Sequence, residues 1–310
     1  VLRAEGTVTT GSVLVVGGDG MIGATLAAAF GAAGWRVYAS TRRADTVNMK
    51  RPFVDLGEAA DTLPELPEVD VAVLAAAVAR IGDCEADPGA SRRINVDGTL
   101  AVARALARGG AHVILLSTDK VFDGVLAQRR HNDATCPQTA YGRQKAEAET
   151  GVLALGREPG TGQAGAVLRL TKVLAADMPL LTGWLADLRA GRTVTPFNDL
   201  CLAPISITMV TDLVGHLAAE RAGGVFHCSG AEDRTYADLA MALANGLALD
   251  NSLIQPVAAS DQAVPAAARV ANTTLDMELE RSRWGIPALP FDDCVDGLLT
   301  VLADGCAKRA

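Results

Sequence analysis

VLVVGGDGMIGATLAAAF, residues 13–30, joins a Val/Leu run to an Ala-rich stretch through Gly17, Gly20 and Gly23. The run shows no polar alternation, which fits a strand covered on both faces. The three glycines of this GxxGxxG spacing serve in turn a tight turn, close approach of backbone to a pyrophosphate, and close packing of helix on strand. The free N–H groups opening the helix then point at phosphate. Strand, glycines and helix in this order predict a dinucleotide site contacted by Gly17, Gly20, Met21, Ile22 and Gly23.

The same alternation continues outward. Short apolar runs at 36–40, around 52–55, and at 71–76, 112–117 and 166–170 read as strands, and 22–33, 90–108 and 139–155 read as helices. Strands alternating with helices predict βαβ units and a parallel sheet. The fold class expected is α/β: a Rossmann-type doubly wound parallel sheet with a smaller C-terminal α+β portion for substrate. The boundaries expected are a flexible tail at 1–12, a dinucleotide-binding domain at 13–175 and a substrate-binding portion at 176–310. Helices at 180–191, 209–221, 235–248 and 291–303 and a strand at 224–229 fall in this last part, which would hang over the sheet's carboxyl edge. Some of these segments are expected to return to the first domain.

A net charge of −8 opposes binding to nucleic acid or an anionic membrane and points to a small-molecule partner. The longest apolar stretch, VAVLAAAVA at 71–79, is far short of the roughly 20 residues a membrane helix needs. Cysteines 84, 136, 201, 228, 294 and 306 form no CxxC pair and the four histidines are dispersed, so no metal site is expected. Reduced, scattered thiols fit a cytoplasmic protein.

After the second strand the chain offers Thr41, Arg42 and Arg43 where an acid would meet the ribose hydroxyls of NAD(H). Two arginines suit an added 2′-phosphate through charge-assisted hydrogen bonds, so NADP(H) is expected over NAD(H); a solvated turn is the plainer alternative. Asp55 and Leu56 stand where adenine would be bracketed, and Ala75, Ala76 and Ala77 follow the next strand toward the same cofactor.

The catalytic candidates lie further on. HVILL at 112–116 runs straight into STDKVFDG at 117–124, a polar cluster at a strand end, where an open sheet meets its ligands. Tyr141 and Lys145 in TAYGRQKAEAE are spaced i, i+4 at a helix start, which stacks them on one face. A neighbouring cation lowers a tyrosine's proton affinity toward the range of a general acid or base.

GxxGxxG, Thr118 and YxxxK in this order resemble the extended short-chain dehydrogenase/reductases. STDKVFDG, Pro137 and YGRQKAEAE are similar to the dTDP-4-dehydrorhamnose reductase group, whose stretches read STDYVFDG and YGxxKxxGE. The similarity extends through Asn95 in INVDGTL, LRLTKV at 168–173 and GVFHCSG at 224–230. The resemblance implies that Thr118 and Tyr141 bind the substrate oxygen and that Tyr141 transfers its proton. It further implies that Lys145 holds the nicotinamide ribose and that Tyr141 also borders the cofactor, with Asn95 supporting the active-site loop or a proton relay. Asp119, Lys120, Arg169 and Lys172 are substrate-binding candidates, Trp184 is a base-stacking candidate or core, and Cys136 lies near the cleft without a catalytic role.

Lys120 stands where the reductases carry tyrosine, and STDK resembles the inverting nucleotide-sugar 4,6-dehydratases, whereas VFDG matches the reductases. Lys120 is an acid/base or a strand-exit charge. The reading is reduction of a nucleotide-activated keto sugar with NADP(H), in a homodimer paired through the helices at 90–108 and 139–155. The alternatives are a redox-neutral epimerase or dehydratase, and a non-catalytic binding subunit like the reductase-like regulatory subunit of methionine adenosyltransferase.

Overall fold

The computed structural model describes residues 11–58, 65–162, 165–262, 264 and 268–307 of the chain. The elements run β1 (Ser12–Val16), α1 (Met21–Ala32), β2 (Arg36–Ala39), β3 (Val71–Leu74), α2 (Ile81–Ala86), α3 (Pro88–Arg92), α4 (Thr99–Arg108), β4 (His112–Thr118), α5 (Ala140–Ala154) and β5 (Ala166–Leu170). They continue as β6 (Lys172–Leu174), α6 (Pro179–Arg189), β7 (Cys201–Leu202), β8 (Pro204–Ser206), α7 (Ile207–Glu220), β9 (Gly224–Cys228), β10 (Arg234–Thr235), α8 (Tyr236–Gly246), α9 (Glu278–Trp284) and α10 (Phe291–Ala307).

Two compact units result: one of residues 1–122, 134–169 and 208–226, the other of 123–133, 170–207 and 227–310. The first is built on a six-stranded parallel sheet in the order β2-β1-β3-β4-β5-β9. Val13, for example, pairs with both Val37 and Val71, and Val71 with His112. All residues of β1, β3, β4 and β5 are buried, which explains their unbroken apolar reading. One face of the sheet packs Leu14, Leu74, Val113 and Leu115 against Val102 and Leu106 of α4 and Val152 of α5. Each such side chain contributes about 1.5–3 kcal/mol by leaving water.

The second unit holds two-stranded ribbons, β10 with β7 and β6 with β8, beside α6, α8, α9 and α10. Its core gathers Leu181, Leu202, Leu239, Leu243, Phe291 and Val295. Trp184 packs edge-on against Tyr236, 6.5 Å between ring centroids, which makes it part of this core.

Three expectations need correction. Residues 52–55 form no strand: Phe53 makes a single bridge to Thr41, and Pro52, lacking an N–H, gives only its carbonyl to Thr41 N. The helix expected over 90–108 is broken by a π-helical turn at Arg93–Gly98. Ser12, expected in the tail, opens β1, and the rest of that tail apart from Gly11 lies outside the described residues.

Candidate functional site

The strand order reverses between β1 and β3, and an open sheet takes its ligand at such a switch point, outside the carboxyl ends of its strands. A cavity of about 360 Å³ lies there, lined by Gly17, Gly20, Thr41, Arg42, Arg43, Asp55, Leu56, Ala75, Ala76 and Ala77, with Val78 and Ile94. Gly17 is in the left-handed region (φ 95°), and a Cβ on it would come within 2.8 Å of Ala76 N. A Cβ on Gly23 would run into Gly17 O, so Gly23 lets α1 close on the loop, whereas one on Gly20 would only touch Gly17 O at 3.4 Å. Met21 and Ile22 form the first turn of α1 and, with Gly23, are absent from the cavity lining. This is a cradle with backbone N–H groups at a helix start, and it fits a dinucleotide pyrophosphate.

Around the arginines, two residues went unnoticed in the sequence. Asp19, in the glycine loop, accepts from Thr41 Oγ1 at 2.7 Å and pairs with Arg51. The Thr41 hydroxyl, followed by Arg51 and Arg43, holds its carboxyl below the usual range against the opposing effect of burial. The sequence signal was an acid in GGDG facing TRR. Ser40 supports the loop as well, its Oγ accepting from Gly17 N at 2.9 Å.

Asn95 sits in the π turn and is buried. Its Oδ1 accepts from Val78 N at 2.8 Å, and its Nδ2 donates to Val78 O at 2.9 Å and Gln144 Oε1 at 2.8 Å. Both amide hydrogens are therefore engaged in a clamp on the loop that follows β3. This arrangement fits loop support. π turns of this kind recur at functional sites.

At the end of β4 the polar cluster meets α5. Thr139 caps this helix, accepting from Gly142 N at 3.1 Å, and Ala140 N donates to Glu85 Oε1 at 2.6 Å. A Cβ on Gly142 would strike Lys120 O, so this glycine lets the helix press on the Asp119–Val121 turn. Tyr141, half-buried, opens α5 beside this turn, and Thr118 is among the groups that act on its phenol. Burial raises the Tyr141 phenol, Asp119 and Cys84 add to this, and the Thr118 bond opposes it. Thr118 Oγ1 donates to Asp119 Oδ1 at 3.1 Å, and Lys120 Nζ donates to Asp119 Oδ2 at 2.7 Å.

One turn along α5, Lys145 is buried and donates to Leu116 O at 2.6 Å. Burial lowers its ammonium to about 8, against the raising effect of Glu149. Glu149 continues the i, i+4 face and accepts from Ser117 Oγ at 2.5 Å. Arg169 also donates to Glu149, at 2.7 Å through Nη2, and its guanidinium lies 5.0 Å above the Phe122 ring. The arginine read as a substrate contact is thus buried and bound to a carboxylate within the protein. Lys172 lies in the second unit on β6, its N–H donating to Ala203 O at 3.2 Å. Cys136 N donates to Val121 O at 2.9 Å. Among the described residues, no His/Cys/Asp/Glu cluster could hold a metal and no helix is long and apolar enough to cross a membrane.

The fold and these motifs define an extended short-chain dehydrogenase/reductase. More narrowly, residues 11–303 match the model of the RmlD substrate binding domain, and the chain belongs to that family. It is 30% identical over 295 residues to the dTDP-4-dehydrorhamnose reductase of Burkholderia thailandensis, covering 88% of this chain and 93% of the relative. It is 28% identical over 295 residues to methionine adenosyltransferase 2 subunit beta of Pongo abelii, covering 89% and 83%. Among solved structures, the dTDP-4-dehydrorhamnose reductase of Bacillus anthracis in complex with NADP superposes with a TM-score of 0.81. That match has 15% identity and covers 94% of this chain and 100% of the other.

Proposed function

We propose that this protein is an NADP(H)-dependent oxidoreductase that reduces a keto group of a nucleotide-activated sugar. The observation that carries the reading is the convergence of Thr118, Tyr141 and Lys145 where β4 meets α5, in the unit that holds the glycine cradle. Gly17, Gly20 and the start of α1 would hold the pyrophosphate, and Arg42 and Arg43 a 2′-phosphate. When bound, the dinucleotide supplies the hydride. Tyr141 and Thr118 would hold the carbonyl oxygen, and Tyr141 would give it the proton. In its neutral form the Tyr141 phenol can give the carbonyl oxygen a proton. Lys145, fixed by Leu116 O, would stand ready for the ribose hydroxyls, and Asn95 would keep the loop at Val78 in place.

The test is NADPH consumption against a panel of nucleotide 4-keto-6-deoxy sugars, with calorimetry of NADPH and NADH. Loss of NADPH with one keto sugar and tighter NADPH binding are the expected results. Equal binding of both cofactors would remove the role given to the arginines. A new product from an unmodified nucleotide hexose without net NADPH loss would move the assignment to an epimerase or dehydratase. The similarity to a methionine adenosyltransferase subunit supports a second reading, a dinucleotide-binding subunit of another enzyme. On that reading Tyr141→Phe leaves biological activity intact.

A further inference from the structure

The glycine loop lies against the end of β2, and the contact puts an acid among the arginines. Gly18 N donates to Ser40 O at 3.1 Å, and a Cβ on Gly18 would come within 2.7 Å of Ala39 Cβ. Asp19, next in the chain, thereby meets Thr41, whose hydroxyl donates to Asp19 Oδ2 at 2.7 Å and accepts from Arg43 N at 3.0 Å. Asp19 lines the dinucleotide cavity together with Arg42 and Arg43. A second, open hollow shares Asp19 and Arg43 with that cavity and adds Thr46, Asn48 and Arg51.

Arg51 is returned to this loop by its own backbone. Asn48 and Arg51 exchange N–H···O bonds of 3.1 and 2.9 Å across a tight turn, and Lys50 O accepts from Ala39 N at 2.9 Å. The Arg51 guanidinium then bonds Oδ1 of Asp19, so the carboxylate carries Thr41 on one oxygen and a cation on the other. Arg51 lines the second hollow and is absent from the lining of the dinucleotide cavity, so its charge reaches the cofactor's site through Asp19. A phosphate monoester carries a charge of about −1.5 to −2 at pH 7. A lone carboxylate beside its site repels it, and a guanidinium bonded to that carboxylate removes the repulsion.

We propose that Asp19 and Arg51 together set the cofactor preference: Asp19 is an acid facing the 2′-phosphate site, and Arg51 is the positioning residue that neutralises it so that the phosphate is admitted. The inference rests on the NADP(H) reading and deepens it, adding two residues to Arg42 and Arg43. The plainer role for the pair is a staple tying the glycine loop to the turn at 48–51. A staple acts alike on NADPH and NADH, which share pyrophosphate and adenine, whereas a charge at the 2′ position acts on NADPH alone.

The test is calorimetry of NADPH and NADH on the full chain and its variants, read as the ratio of the two affinities. Asp19→Asn keeps an acceptor for Thr41 and should raise the preference for NADPH roughly fivefold, and Arg51→Met should lower it by a similar factor. Arg51→Lys, which keeps the cation, should leave the ratio in place, and the Asp19→Asn, Arg51→Met double variant should return it close to that of the unmodified protein. Equal losses for both cofactors in the single variants, or an unchanged ratio, would mean a staple and overturn the proposal. If Asp19→Asn does not fold, Arg51→Met against Arg51→Lys still decides. Equal affinities in the unmodified protein, with opposite shifts in the two single variants, would uphold the pair and sink the 2′-phosphate role of Arg42 and Arg43. A clear preference for NADPH that every variant keeps would do the reverse.

Discussion

Two carboxylate–cation pairs flank the end of β4 and face different ways. Glu149 and Arg169 are 3% and 4% exposed, joined by several hydrogen bonds and backed by Ser117 and Phe122. Asp119 and Lys120 are more open, with a single short contact, and they adjoin Thr118. The first pair satisfies charges that would otherwise be buried alone; the second stands more open at the polar end of the strand. Similar residue types therefore make a buried framework on one side of the strand end and a more open pair on the other.

The sharpest way to break this contrast is Arg169→Met. It leaves Glu149 buried without its cation and should cost about 3–5 kcal/mol, read from the urea midpoint. Lys120→Met should cost less than about 1 kcal/mol by the same measurement. Comparable losses would erase the distinction. Tyr141→Phe should lower turnover by about 10²–10⁴-fold while NADPH affinity stays unchanged. An equal loss of NADPH affinity would mean that Tyr141 serves binding alone.

Asn95→Ala opens the clamp on Val78 and leaves buried polar groups unmet, at about 1–3 kcal/mol. It should also weaken NADPH binding in calorimetry, because the loop it clamps lines the cavity. A pH dependence follows from Lys145. Its amine holds a proton to about pH 8 in the folded protein and to its ordinary value of 10.5 when unfolded. Between these values the unfolded chain binds more protons, so stability rises with pH. Tyr141, raised above its ordinary value of 10.0, opposes this above pH 10. The gain therefore belongs to the window from about pH 8 to 10, and Lys145→Met should remove it from urea titrations.

The glycine loop and YxxxK were legible because their chemistry depends on spacing within one strand–turn or one helical turn. The sheet strands were legible because burial on both faces leaves unbroken apolar runs. Arg169 misled because a strand arginine looks alike whether it meets a ligand or a carboxylate, and Glu149, the second acid of KAEAE, offered the only local hint of its partner. The Asn95 clamp joins Val78 and Gln144 across 17 and 49 residues, and no short pattern encodes it. Residues 52–55 carried a strand's composition, but the chain passes the end of β2 there with a proline and makes one bridge. Asp19 and Arg51, 32 residues apart, were likewise joined only by the fold.

The most direct measurement is hydride tracing: incubation with NADPH deuterated at the nicotinamide C4, a dTDP-4-keto-6-deoxyhexose and the protein, followed by mass and NMR analysis of the sugar. A reductase working through Tyr141 leaves one deuterium on the former carbonyl carbon, in step with NADPH consumed, and none with Tyr141→Phe over the same interval. NADPH bound but unconsumed, with the sugar unlabelled across the keto-sugar panel, would contradict this and leave the dinucleotide-binding subunit as the reading to pursue.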